Sequence, residues 1–191
     1  MVHEFGKSIG DYDKAIELDP TDAVAYYNRG FFNHNLGEFD KAVSDFNKAI
    51  ELDPKLAYAY INRGVAYRIL GEYEKAVADY DKAVELDPTD AVAYYNRAVA
   101  YNTFGEHKKE LADYDKAIEL DPNLGHAYYN RGVAYGKQGD FENAIADFNI
   151  AIEMDPTDAL AYHHRGTAYR EQGEIEKADA DFEKARDLGV Q

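Results

Sequence analysis

The chain of 191 residues contains no cysteine and no tryptophan. Without cysteine there is no disulfide framework, no thiolate nucleophile and no Cys-ligated zinc. Serine is nearly as scarce: Ser8 and Ser44 are the only two, and neither stands in a strand–turn–helix elbow that would expose a hydrolase nucleophile. Long apolar runs are missing, so no segment is built to span a bilayer, and residues 1–20 lack a basic region followed by an apolar one. Basic charge is short as well: 21 Lys and Arg stand against 37 Asp and Glu, a net charge of −16. That balance opposes counterion-releasing contact with nucleic acid and attraction to an anionic membrane. Together these absences describe a cytoplasmic protein with neither nucleic acid nor membrane as its partner.

Histidine forms no ligand set. His3, His34, His107, His126, His163 and His164 are scattered, and the adjacent His163 and His164 diverge by about 100° on a helix. Acid pairs abound, but they recur on one face, where solvation explains them. No metal, no cofactor and no catalytic constellation is expected, so the chain reads as a non-enzyme.

What is present is periodicity. The five prolines stand at 20, 54, 88, 122 and 156, each 34 residues after the last. Ala-Val-Ala-Tyr-Tyr-Asn-Arg at 23–29 recurs unchanged at 91–97. Five repeats therefore run 23–56, 57–90, 91–124, 125–158 and 159–191. Residues 1–22 align with the second half of a repeat, because Phe5, Tyr12, Ala15 and Pro20 fall where Phe39, Phe46, Ala49 and Pro54 fall.

Within a repeat, Tyr60, Gly64 and Tyr67 follow helical spacing, and Tyr73, Ala76, Tyr80, Ala83 and Val84 do so after a break. The spacing predicts two amphipathic helices, A over 57–70 and B over 73–86, with a lone B helix at 5–18. Gly71 serves as a left-handed stop for helix A, and Asp87-Pro88 ends helix B because Pro88 has no amide donor. Helices of about 14 residues are only ~21 Å long and cannot bury their apolar stripes alone. Stability must come from stacking.

This pattern resembles the tetratricopeptide repeat (TPR) family. Counting from Ala57 as position 1, the family's large residue at 4, small residue at 8, Tyr at 11, small at 20, aromatic at 24, small at 27 and Pro at 32 are Tyr60, Gly64, Tyr67, Ala76, Tyr80, Ala83 and Pro88. The resemblance implies an all-α fold, a right-handed α-α superhelix (TPR solenoid) of one half repeat plus five full repeats. It departs from the family at position 7, which is Arg29, Arg63, Arg97, Arg131 and Arg165, while position 23 is Asp45, Asp79, Asp113, Asp147 and Asp181. Each Arg is expected to pair with the Asp of its own repeat, since an unpaired half-buried guanidinium is costly.

In TPR arrays the A helices line the concave face. The five A helices hold eight Lys and Arg and a single acid, Glu171, so the remainder of the chain carries −23. The resemblance thus implies a neutral-to-basic, aromatic groove inside an acidic shell, suited to an extended peptide or a partner helix. By resemblance the groove positions are 2, 5, 6, 9, 12 and 13. Position 5 is Tyr27, Ile61, Tyr95, Tyr129 and His163; position 9 includes Val65, Val99 and Val133 beside Phe31 and Thr167. These either anchor a ligand or pack against the adjacent A helix. Position 6 is Asn28, Asn62, Asn96 and Asn130, with His164 in the fifth repeat. A carboxamide both donates and accepts, which suits a peptide backbone, and the row resembles the asparagine ladder of peptide-binding TPR domains. The competing role is a bond to neighbouring protein groups. Arg68, Lys137 and Arg170 are the cations expected in the groove, either favouring an acidic side chain of the partner or pairing with nearby acids. A chaperone-tail carboxylate clamp is not matched, because no lysine occupies position 2 or 5 and position 2 carries Val24, Tyr58, Val92, His126 and Leu160.

The third repeat departs most, with Ala98 for Gly, Glu110 for Ala, and His107 for an aromatic residue. Its B helix is expected to tilt so that Glu110 reaches water, softening the joint; a tolerated Glu without any role is the alternative. In the first repeat Phe32 is expected to cover for the tyrosine missing at Asn33 or to bury the N-terminal helix; a partner anchor at Phe31 is the alternative. Apolar stripes are expected to lie uncovered at both ends, including Phe5 and Ile9, and Ile175, Ala178, Phe182 and Ala185. A homo-oligomer built through those ends is the alternative to peptide binding, unless the chain is a fragment.

Overall fold

The computed structural model describes the backbone of residues 2–190 and the side chains from Ile9 to Val190. Phe5 lies outside the described side chains. The chain divides into two compact units, residues 1–103 and 104–191, and the division falls inside the third repeat. The first unit holds α1 (Val2–Leu18), α2 (Ala23–Asn35), α3 (Phe39–Leu52), α4 (Ala57–Ile69), α5 (Tyr73–Leu86) and α6 (Ala91–Phe104, ending one residue past the division). The second holds α7 (His107–Leu120), α8 (Gly125–Lys137), α9 (Phe141–Met154), α10 (Ala159–Glu171) and α11 (Ile175–Asp187). Among the described residues there is no strand, and no helix is long and apolar enough to cross a membrane. The N-terminal helix begins three residues earlier than its spacing predicts.

Helix ends follow the local chemistry. Asp22 and Asp158 cap α2 and α10, each accepting the next two-residue-distant amide and the one after it: Val24 and Ala25, Leu160 and Ala161. The second and fourth repeats have Leu56 and Leu124 there, with no side-chain cap. Gly71 takes φ +79°, and the Glu72 amide donates back to the Tyr67 carbonyl at 2.8 Å, closing α4. Asp87 is extended (φ −136°, ψ 92°) before Pro88, which ends α5.

In the first unit α2 packs on α3, α3 on α4 and α4 on α5; in the second α7 packs on α8, α8 on α9, α9 on α10 and α10 on α11. In the first, second and fourth repeats the A–B contact closes over the ring at position 24: Phe46 and Tyr80 are 0 % exposed and Phe148 2 %. A fully buried ring of this kind contributes roughly 1.5–3 kcal/mol. The helices approach so closely that a Cβ on Gly64 would lie 2.6 Å from Tyr80 Cε1. Only glycine fits.

The Arg–Asp expectation is met in four repeats. Arg29 donates to Asp45, Arg63 to Asp79, Arg131 to Asp147 and Arg165 to Asp181 through Nε and Nη2, at 2.5–3.2 Å. The partner expected for Arg97, Asp113, belongs to the second unit. A second bond was not foreseen. Nη1 donates 16 residues backward, to Asp13, Asn47, Asp81, Asp115 and Asn149 from the five arginines in order, at 2.6–2.8 Å. Each arginine therefore ties an A helix to the preceding B helix, and Arg29, Arg63, Arg131 and Arg165 tie it to the following one too. Tyrosine rings at positions 4 and 11 flank the guanidinium, as Tyr128 and Tyr135 flank Arg131 at 5.6 and 5.9 Å. In the first repeat Asn33 replaces the second ring and donates to Asp45 at 3.0 Å, while Phe32 packs on Tyr12 of α1 at 5.7 Å.

Glu110 does not reach water. It is 0 % exposed, with Oε2 3.2 Å from His107 Nδ1 and a buried Oε1 without a partner. His107, one turn earlier on α7, brings a polar ring to the carboxylate. α7 starts 34 residues after α5, in the common register.

Candidate functional site

The A helices carry the candidate residues at positions set by the helical period: positions 2, 6 and 9 advance along one face. In the first unit this face belongs to α2, α4 and α6, and in the second to α8 and α10.

The asparagines are half-buried. Asn62 Nδ2 donates to the Tyr58 carbonyl at 2.8 Å and lies 3.2 Å from Tyr27 Oη; Asn96 Nδ2 donates to the Val92 carbonyl at 2.9 Å. Part of their donor capacity is thus spent inside the protein. Asn28 and Asn130 occupy the same position on α2 and α8, and His164 on α10.

Position 5 varies in depth, with Ile61 buried and Tyr27, Tyr95, Tyr129 and His163 half-buried. Ile61 is 6 % exposed, packed with Tyr60, Ala83 and Ala93. Tyr27 packs against Ala49, Leu56 and Ala59 and meets Tyr58 edge-on at 4.5 Å. Burial raises its pKa, with the Tyr58 hydroxyl adding to the shift. Tyr129 lies 6.0 Å from Phe148 and 5.8 Å from His164, and burial raises its pKa also. Tyr95 is half-buried on α6, and His163 packs on Phe182 at 5.5 Å.

Position 9 varies: Phe31 is 40 % exposed, while the valines fill space between neighbours. Val65 packs on Ala76, Tyr80 and Ala100, and Val133 on Ala144, Phe148 and Ala168; Val99 is half-buried. Arg68 is half-buried rather than fully available: its Nε is shut off from solvent, and its charge opposes the rise that burial imposes on the Tyr80 hydroxyl. Lys137 is exposed at the end of α8. Burial lowers the His164 pKa, with His163 and Lys137 as positive neighbours acting in the same direction.

Among the groove positions, apolar residues face solvent at position 2 in four repeats, and also at Phe31 (40 %, position 9) and Ile69 (45 %, position 13). Val24 is 49 % exposed, Tyr58 42 %, Val92 46 % and Leu160 50 %. Each stands one turn before the position-6 side chain of its helix. The same 34-residue period marks them in the sequence, but periodicity does not rank depth among apolar positions.

Stacked helix pairs of 34 residues define a helical-repeat protein. Family models described as tetratricopeptide repeat match residues 23–56, 57–90 and 126–158, more than half of the chain. Further models of the same repeat match 4–37 and 105–139, and 79–112 and 148–180. The chain belongs to the tetratricopeptide repeat family. Among solved structures it is similar to YrrB, described as a TPR protein with an unusual peptide-binding site, at 28% identity over 93% of this chain and 92% of that one, TM-score 0.76. It is similar to MamA at 29% identity over 83% and 93% of the two chains, TM-score 0.77. MamA from Desulfovibrio magneticus RS-1, at 23% identity over 87% and 94%, shares the fold with TM-score 0.79. No curated protein sequence matches the chain.

Proposed function

We propose that the protein is a non-catalytic, cytoplasmic scaffold that holds an extended peptide, or a helix of another protein, on the face formed by its A helices. One observation carries this reading. In a chain of net charge −16, the A helices expose an apolar side chain at position 2, one turn before an amide at position 6: Val24 and Asn28, Tyr58 and Asn62, Val92 and Asn96. Apolar contact and backbone hydrogen bonding alternate along such a face, which is what a peptide offers. The likeness to YrrB, whose description includes a peptide-binding site, supports a peptide as the ligand class. Asn130 extends the amide row in the second unit, where Leu160 supplies the exposed apolar residue and Lys137 biases charge.

The test compares proteins captured from source-organism lysate by the natural chain and by an Asn62→Ala, Asn96→Ala, Asn130→Ala variant whose circular dichroism shows it folded. Specific partners are expected to fall at least about tenfold in the variant, a loss of ~1.4 kcal/mol. Partners captured equally well by both would reject the face.

A second reading, self-assembly, is favoured by α11. Ile175 is 53 % exposed and Phe182 partly exposed, whereas Phe46, Tyr80 and Phe148 at the latter's position are 0–2 % exposed; Ala178 and Ala185, expected to lie uncovered, are each 1 % exposed and packed within the fold. Under this reading molecular mass rises with protein concentration in sedimentation equilibrium. Under the scaffold reading it stays at one chain.

A further inference from the structure

The twelfth position of the repeats carries His34, Arg68, Asn102, Gly136 and Arg170. In the second and fifth repeats this side chain lies by the position-24 ring of its own repeat. Arg68 is close enough to Tyr80 to act on its hydroxyl, and the Arg170 guanidinium sits 5.3 Å from the centre of Phe182. The fourth repeat has a glycine instead. Packing does not demand it: a Cβ on Gly136 would meet nothing nearer than Ala144 Cβ at 4.0 Å, whereas on Gly132, one turn earlier, it would lie 2.9 Å from Phe148 Cε1. Glycine inside a helix is entropically unfavourable. The consequence of Gly136 is the space it leaves, a cavity of 260 Å³ between α8 and α10 walled by Val133, Phe141, Phe148, His164 and Thr167.

We infer that this cavity receives one large apolar side chain, of leucine or phenylalanine size, from a peptide that carries an acidic residue beside it. The inference rests on the scaffold function proposed above and names the side chain that the second unit selects. Two aromatic walls and the bare helix backbone at Gly132 and Gly136 favour an apolar group. Charge decides against a cation, although Arg170 places one over Phe182. Lys137 lines the cavity and no acid does. His164 in the opposite wall feels Lys137 as a positive neighbour and Asp158, which does not line the cavity, as a negative one, so the charge at the lining itself is that of Lys137. A carboxylate next to the buried side chain complements that charge.

Capped dipeptides titrated into ¹⁵N-labelled protein test this. Up to about 20 mM, a range suited to ligands of so few atoms, N-acetyl-Asp-Phe-amide and N-acetyl-Asp-Leu-amide are expected to shift the amides of Gly132, Gly136 and Thr167 saturably. N-acetyl-Lys-Phe-amide should bind at least about threefold more weakly, and N-acetyl-Asp-Ala-amide should not saturate. Gly136→Arg places in the fourth repeat the residue that the second and fifth already accommodate, and should weaken the Asp-Phe probe at least about tenfold. Lys137→Glu, a surface change that leaves the cavity open, should invert the order of the Asp-Phe and Lys-Phe probes. No saturable shift at those amides with any probe, equal binding by Gly136→Arg, or a preference of the natural chain for the Lys probe overturns the inference. Lysate partners lost from the triple asparagine variant but kept by Gly136→Arg would remove this pocket and leave the scaffold standing. Partners kept by both variants would remove the scaffold.

Discussion

Arg131→Ala is expected to lower the free energy of unfolding by about 3–5 kcal/mol in urea denaturation. Arg131 sits near the middle of the second unit and makes charge-assisted bonds in both directions. Nε and Nη2 donate to Asp147 at 2.8 and 2.7 Å, and Nη1 donates to Asp115 at 2.6 Å. The arginine side chain is 17% exposed and Asp147 only 5%. These bonds, led by that to Asp147, hold the arginine charged well above its ordinary range. Truncation removes the one cation bonded to a carboxylate that burial already pushes up in pKa. The sign of the pH dependence follows. In the variant the folded-state pKa of Asp147 rises further above its unfolded value, so protonation favours the fold, and the deficit narrows as pH falls toward about 5. Arg131→Met with Asp147→Leu removes both charges and should recover most of the loss, because two apolar groups leave nothing buried and unpaired. A single-variant loss below about 1 kcal/mol would show that the pair is no more than a surface contact.

The forward half of this clamp is legible in the sequence and the backward half is obscured. Arginine at position 7 and aspartate at 23 stand in all five repeats, 16 residues apart, and unlike charges on two helices of one hairpin invite pairing. The backward partner is just as periodic but alternates in chemistry: Asp13, Asn47, Asp81, Asp115 and Asn149. Read as charge it looks like variable surface; read as hydrogen-bond acceptors it is uniform. Depth on the A helices is hidden for another reason. Ile61 and Val92 are both apolar residues on groove positions of the pattern, yet one is 6 % and the other 46 % exposed. The difference is made by Ala83 and Ala93, which close over Ile61 from other helices. Glu110 shows a third limit. The expectation that it reaches water followed from desolvation alone, without the His107 ring that shares its helix. The Gly136 cavity was missed because an absence has no side chain to notice; comparing position 12 across the repeats is the signal that finds it.

Two alanine substitutions on equivalent helices should move stability in opposite directions. In an exposed or loosely packed helix, glycine to alanine stabilises by about 0.5–1 kcal/mol, because the unfolded chain has fewer conformations to lose. Gly136 meets that condition, since its added Cβ makes only an ordinary contact at 4.0 Å. Gly136→Ala is therefore expected to raise the melting temperature. At Gly64 the same gain is opposed by a collision: the Cβ would stand 2.6 Å from Cε1, 3.0 Å from Cζ and 3.1 Å from Cδ1 of Tyr80. That ring is 0 % exposed and is held between Ala76, Ala100 and Val65. Either the ring leaves its rotamer or α4 moves away from α5, at a strain of typically 1–3 kcal/mol. Gly64→Ala should accordingly lower the melting temperature, with the net loss at or below that range. Combining it with Tyr80→Leu tests the cause, because shortening the ring removes the collision and the two losses should then fail to add. If both single variants stabilise, helix propensity outweighs packing and the close approach of α4 to α5 is not what fixes glycine at this position.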